Sequence, residues 1–300
     1  MTASLRHLFQ QGPVIESLLK TVASSLPLGP LGVGKSEGAS TRFIHKDTVP
    51  PRDPELVREY IRHVGGDPAW YRGVLPPHMF PQWGFPIMTR ALQGQPYNLV
   101  RALNGGCRLE VFHDIPANKP LLLRARLEKV EEDGKKVLLT QRLTTGTAEQ
   151  PQCLVSHVTA IIPLGDPKKG NKSEKKKEKP RVPIDGREIA RMRLEPKCGL
   201  EFAFVTGDVN PLHWLAPYAR MSGFKNPILH GFSGMARAVE ALNRTLWSGK
   251  VNTLQSFEAR FVRPLVLPAT ASVFIDKRGG VFVGKAPGGP ATLTGSYTTK

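Results

Sequence analysis

The sequence predicts an α+β chain made of two similar halves, and three observations lead there. Apolar residues alternate at period two in strand-length runs, once between residues 107 and 162 and again between 269 and 298, each time after a stretch of helical spacing. One segment recurs: Leu109-Glu-Val-Phe-His-Asp-Ile-Pro116 lines up with Phe257-Glu-Ala-Arg-Phe-Val-Arg-Pro264, and a second proline follows four residues later in both, Pro120 and Pro268. Between the halves runs Lys168-Lys-Gly-Asn-Lys-Ser-Glu-Lys-Lys-Lys-Glu-Lys-Pro-Arg181, low in complexity and without aromatic residues, which reads as a solvated linker. These features divide the chain into an N-terminal helical segment (1–41), a first domain (42–165), a basic linker (166–182) and a second domain (183–300).

Residues 1–34 carry Leu5, Leu8, Leu18, Leu19, Val22 and Leu26 among basic residues, with Glu16 the one acidic group. This suits an amphipathic helix ended by Pro27 and Gly29, and equally a transit peptide; the former is preferred. Glu55 to Val64 predicts a short helix, and Ile87, Met88, Ala91 and Leu92 a buried one. Strands follow at Cys107–Phe112, Pro120–Val130, Lys136–Thr144 and Gln152–Ile162, with Glu131-Glu-Asp-Gly134 as a hairpin turn. In the second half Phe232, Met235, Val239, Leu242 and Leu246 recur at helical spacing after Gly231. Strands at Ala269–Ile275, Gly280–Lys285 and Ala291–Thr298 come next, the first two joined at Gly279-Gly280.

Composition bounds the function. The 300 residues suffice for two domains with their own cores, and 40% hydrophobic content is that of a globular chain. No run approaches the roughly eighteen apolar residues of a membrane span. Three cysteines (Cys107, Cys153, Cys198) are too few and too scattered for a disulfide framework or a zinc site, which favours a reducing compartment, read as the cytoplasm. The net charge of +17 raises nucleic acid as a partner, but much of it sits in the linker, so no nucleic-acid role is expected. Excess charge elsewhere suits the phosphates of a carrier nucleotide or an acidic carrier protein, and equally a general surface charge.

The chemistry concentrates between Phe204 and Gly231. Gly207 lets the backbone turn after an apolar segment (Phe202, Phe204, Val205), and Asn210-Pro211 signals a helix start. A turn begun at Pro211 returns His213 toward Asp208, where a carboxylate and an imidazole can share one water. Lys225-Asn-Pro-Ile-Leu-His230 leads into another helix start, where the Gly231 amide suits an oxygen gaining negative charge. On spacing alone, such an Asp and His are an Asx turn and a structural histidine.

A longer pattern outweighs that reading. Gly207-Asp208-x-Asn210-Pro211-Leu212-His213, with Ala219, Gly223-Phe224, Pro227 and His230-Gly231, resembles the signature of the MaoC-like (R)-specific enoyl-CoA hydratases and 3-hydroxyacyl-thioester dehydratases. The resemblance implies a double hot dog fold, in which a curved antiparallel sheet wraps a long helix in each half. It implies acid/base roles for Asp208 and His213, an orienting and substrate-binding role for Asn210, and an oxyanion hole at the Gly231 amide. It implies an acyl thioester of coenzyme A or acyl carrier protein as substrate, no metal or other cofactor, and leaves a homodimer open. Trp214-Leu215-Ala216-Pro217 departs from the Asp/Asn-Pro that commonly follows the histidine, leaving the next helix without a side-chain cap.

The first half has Asp67 but no Asn-Pro-x-His after it, so Asp67, His63 and His78 read as capping or structural residues and that half as non-catalytic. Two alternatives stand beside the hydro-lyase: a hot dog thioesterase, and a non-catalytic acyl- or nucleic-acid-binding protein.

Overall fold

The computed structural model describes residues 43–164 and 179–300, together with Gly12; the expected N-terminal helical segment and most of the basic linker lie outside the described residues. The first half runs β1 (His45–Val49), α1 (Pro54–His63), β2 (Val74–Leu75), α2 (Pro81–Leu92), β3 (Leu103–Val111), β4 (Ile115–Pro116), β5 (Leu121–Glu132), β6 (Lys136–Gly146) and β7 (Leu154–Pro163). The second runs β8 (Arg187–Leu194), α3 (Cys198–Thr206), α4 (Ala216–Met221), α5 (Gly231–Thr245), β9 (Leu254–Phe261), β10 (Ala269–Ile275), β11 (Gly280–Gly284) and β12 (Ala291–Thr299).

Ten of these strands form one antiparallel sheet in the order β1-β5-β6-β7-β3-β9-β12-β11-β10-β8. Its two five-strand wings repeat the same arrangement in mirrored order. They meet where β3 pairs with β9, and there Leu109 faces Phe257, the two residues that head the repeated segment. The repeat therefore straddles a local two-fold axis at the centre of the sheet. Alternation explains the strands: β6 reads polar-out, apolar-in, with Val137, Leu139 and Leu143 buried. The Asp133 carboxylate accepts from the amides of Lys135 and Lys136 and closes the β5–β6 hairpin as the turn residues predict.

Each wing curves round a helix, α2 in the first half and α5 in the second, which is the double hot dog arrangement. One continuous core fills both. Phe80 of the first half meets Phe232 of the second edge to face at 5.5 Å between ring centroids, and Phe85 does so at 5.6 Å.

Expected and observed elements differ chiefly at α3, at the two outermost strands and at the start of β3. A helix, α3, stands where only an apolar segment was expected; being buried on nearly all sides, it has no amphipathic period. The outermost strands β1 and β8 were not expected; β8 carries Arg187, Glu188, Arg191 and Arg193, the charges that keep a sheet edge from pairing further. Finally, β3 begins at Leu103 rather than Cys107, because Gly105 and Gly106 mask it. A Cβ at Gly106 would lie 2.5 Å from the Ala259 carbonyl on β9, so glycine permits the central pairing.

Polar groups also join the halves. Glu240 of α5 is 1% exposed and accepts from the Tyr71 hydroxyl (2.6 Å), His78 Nε2 (3.0 Å) and the Asn243 amide (3.2 Å). Tyr60 completes the network, with its hydroxyl 3.0 Å from His78 Nδ1. Burial and the adjacent carboxylate hold the Tyr71 phenol well above its ordinary range, so it stays a donor. His78 is thus structural, and Asp67, which caps Ala69, is too. Glu240→Gln removes charge from three buried hydrogen bonds and is expected to lower stability by about 2 kcal/mol, read as a lower urea midpoint.

Candidate active site

The site is built on the segment from α3 to α5. Helix α3 ends at Gly207, whose φ of 80° is the left-handed turn that redirects the chain and delivers Asp208. Asn210 then caps a single 3-10 turn, Pro211–His213, its side chain accepting from the Leu212 amide at 3.1 Å. The Asn210 amide donates to the Asp208 carboxylate. Asn210 thus orients both ends of the loop between the acid and the imidazole. Gly199 of α3 lies against the carbonyl of His213, where an added Cβ would overlap the oxygen, so only glycine lets the turn sit this close.

Asp208 and His213 do converge, and a third residue joins them. The donor atoms of Asp208, His213 and His230 all lie within 4.8 Å of one another. His213 Nδ1–H donates to the Ile228 carbonyl at 2.8 Å, which leaves Nε2 as a lone pair. His230, 1% exposed, donates its Nε2–H to the backbone carbonyl of Asp208 at 3.1 Å. Its ring stacks on His213 with centroids 3.6 Å apart, and Phe202 covers it from 4.9 Å. Among the described residues this is the one acid/imidazole set that could also hold a cation, but His230 spends its Nε2–H on Asp208.

Electrostatics follow from burial. Asp208, 8% exposed, has its pKa raised by desolvation, against the pull of His213 and the Asn210 amide. His213 has its pKa lowered by desolvation despite the neighbouring carboxylate. Each group is thereby moved toward its neutral form, the condition in which a proton can pass between them.

A cavity of about 400 Å³ opens beside the set. Its walls include Asn210, His213, His230 and Gly231 from the second half and Leu103, Asn104 and Ile161 from the first. Asp208 does not line the cavity itself, but its carboxylate lies within 4.8 Å of ring nitrogens of His213 and His230, which do. Gly231 is the first residue of α5, where an amide has no carbonyl one turn back to receive it. A Cβ there would lie 2.7 Å from the Phe261 ring. Helix α4 has no side-chain cap, as its Leu215-Ala-Pro start implies.

The first half shows the same turn without an imidazole at its end. Asp67 caps Pro68–Trp70 as Asn210 caps Pro211–His213, so Trp70 takes the place of His213. Against the next residue, Tyr71, lies a cavity of about 20 Å³ lined also by Val111, His113 and Ile115, which the repeat aligns with Ala259, Phe261 and Arg263.

In the sequence His230 stood within the signature pattern, as His230-Gly231, but no role was read for it. A histidine before a helix glycine carries no signal of the stack it will make.

Residues 172–287 match the family described as MaoC like domain. That stretch, most of the second half, is similar to the family. Similarity extends beyond it: 279 residues are 24% identical to 3-hydroxyacyl-thioester dehydratase X of Mycobacterium tuberculosis, covering 89% of this chain and 90% of that one. Over 181 residues the chain is 24% identical to peroxisomal enoyl-CoA hydratase 2 of Arabidopsis thaliana, covering 57% of this chain but 58% of that protein. It spans only 25% of the mouse peroxisomal multifunctional enzyme type 2 at 22% identity. Among solved structures, HtdX of Mycobacterium tuberculosis superposes with a TM-score of 0.67 at 20% identity, over 85% of this chain and all of that one. A second mycobacterial protein, described as having a double hot dog fold, reaches 0.57 at 13% identity, over 88% and 98%. These structural likenesses establish the double hot dog fold. No helix of the described residues is long and apolar enough to cross a membrane.

Proposed function

We propose that the protein reversibly hydrates trans-2-enoyl thioesters to (3R)-hydroxyacyl thioesters, with Asp208 and His213 as the proton-transfer pair and the Gly231 amide as the oxyanion donor. The observation that carries this is the convergence of a buried carboxylate and a fixed-tautomer imidazole beside a cavity that the Gly231 amide also borders. A water held by the pair gives a proton to His213 Nε2 as its oxygen bonds to the β-carbon. The conjugated electrons move onto the thioester oxygen, which the Gly231 amide receives. A proton then returns from the pair to the α-carbon. Hydrogen and hydroxyl have been added across the double bond, and the pair is restored; dehydration runs the same steps backward. Asp208 supports the positive charge that His213 carries in between.

The relatives named as hydratases and 3-hydroxyacyl-thioester dehydratases support the same reaction. We assign the chemistry to the second half and wall-forming to the first, supported by Trp70 standing in the place of His213. The expected result with crotonyl-CoA and longer enoyl-CoAs is loss of the enoyl absorbance, formation of the (3R) product and no free thiol. Thiol release with the enoyl absorbance intact would select a thioesterase instead.

A further inference from the structure

We propose that His230 is a positioning residue, a strut that fixes the proton-transfer pair relative to the oxyanion amide. The proposal rests on the acid/base reading above. The groups that reading needs come from three separate pieces of chain: Asp208 from the loop after α3, His213 from a 3-10 turn, and Gly231 from the start of α5. Two hydrogen bonds tie the pieces together. His213 Nδ1–H reaches the Ile228 carbonyl (2.8 Å), binding the turn to the approach to α5. His230 Nε2–H reaches the Asp208 carbonyl (3.1 Å), binding the start of α5 back to the acid loop. The two links close a ring through Asp208, His213, Ile228 and His230, and Gly231 follows directly on the last of these.

The ring contacts add to this. One face of His230 supports His213 at 3.6 Å between centroids, and Phe202 holds it in place at 4.9 Å. A carbonyl can only accept, so His230 bears its hydrogen on Nε2 and its Nδ1 is bare. That Nδ1 is buried with no partner among the described residues. A side chain serving only to fill space would be cheaper without an unmet polar atom, so the contribution of this one lies in the hydrogen bond and the stack. Burial first, then the neighbouring His213, hold the His230 imidazole well below its usual pKa. It therefore stays neutral and does not compete with His213 for the proton of water.

The test uses the full chain with two substitutions. His230→Ala removes donor and stack; His230→Gln retains an amide donor able to reach the Asp208 carbonyl. A displacement of about 1 Å at a reacting group costs about 10²-fold in rate. His230→Ala is therefore expected to lose about 10² in kcat with KM within about threefold of wild type, and His230→Gln to recover at least about tenfold of that loss. Long-range proton–nitrogen NMR spectra provide a readout independent of turnover: His213 is expected in one fixed tautomer in the wild type and in His230→Gln, and averaged in His230→Ala. A kcat for His230→Ala within about threefold of wild type would overturn the proposal, as would a His230→Gln variant no better than His230→Ala. If His230→Ala fails to fold, His230→Gln decides: a loss under about tenfold supports the strut and one above about 10² removes it. A wild-type protein inactive on every enoyl-CoA would sink the proposed reaction, and the His213 tautomer in the two variants would then decide the strut alone.

Discussion

Asp208→Asn and His213→Ala should each lower the hydration rate by about 10² to 10⁴, with unchanged circular dichroism, because each removes one proton-transfer group. The double variant should be little slower than the worse single one, since the two groups act on one water and either loss disables both. The pH profile adds a signed expectation. The pair works with Asp208 ionised and His213 neutral, so activity falls on the acid side as Asp208 gains its proton. Burial raises the Asp208 pKa, which puts that limb above the ordinary carboxylate range of about 3.9. In Asp208→Asn the residual rate should have its acid limb at lower pH, because the carboxylate that raises the His213 pKa is gone. Either single variant retaining more than a tenth of the wild-type kcat/KM would refute the assignment.

The second large effect is expected far from any reacting atom. Gly199→Ala drives a methyl group into the carbonyl of His213, and both are backbone-anchored, so the 3-10 turn or the start of α3 must shift. The imidazole moves with its turn. A loss of about 10² in kcat is expected from a displacement of about 1 Å, with KM affected less. A fall of about 1–3 kcal/mol in stability should accompany it, as for other overpacked sites. Thermal unfolding and steady-state kinetics on the same preparation separate the two. Wild-type kcat at unchanged stability would mean that the turn is not held by this contact.

Much of this architecture was legible in the sequence, for physical reasons that differ from element to element. The strands of each wing are half-buried and so alternate; Ala269–Ile275 has the bounds the pattern predicts. The helix at Gly231 is largely buried, but its large apolar residues (Phe232, Met235, Val239, Leu242) keep to one stripe, so it was equally plain. By contrast, α3 is buried almost all round, and Phe202 and Val205 signal burial without signalling helix. Strand β8 is an edge whose arginines hide its period, and β3 opens on glycines chosen for close approach rather than for strand propensity. At the site, the local sequence specifies the turn and helix starts that carry Asp208, Asn210, His213 and Gly231, while the resemblance to the MaoC-like pattern is what implied their roles. The role of His230 was not legible, since its partners lie 22 residues back at Asp208 and, through the ring stack, at His213.

The pairing of Leu109 with Phe257 across the centre of the sheet has a consequence for how such a chain can change. In an assembly of two identical subunits every substitution is made twice, once near each reactive centre, so a residue cannot be altered for the tail of a substrate without being altered for its head. Here the twins are covalently joined and have diverged. Leu103 and Ile161 can be exchanged on the far wall while Asp208 and His213 are left untouched.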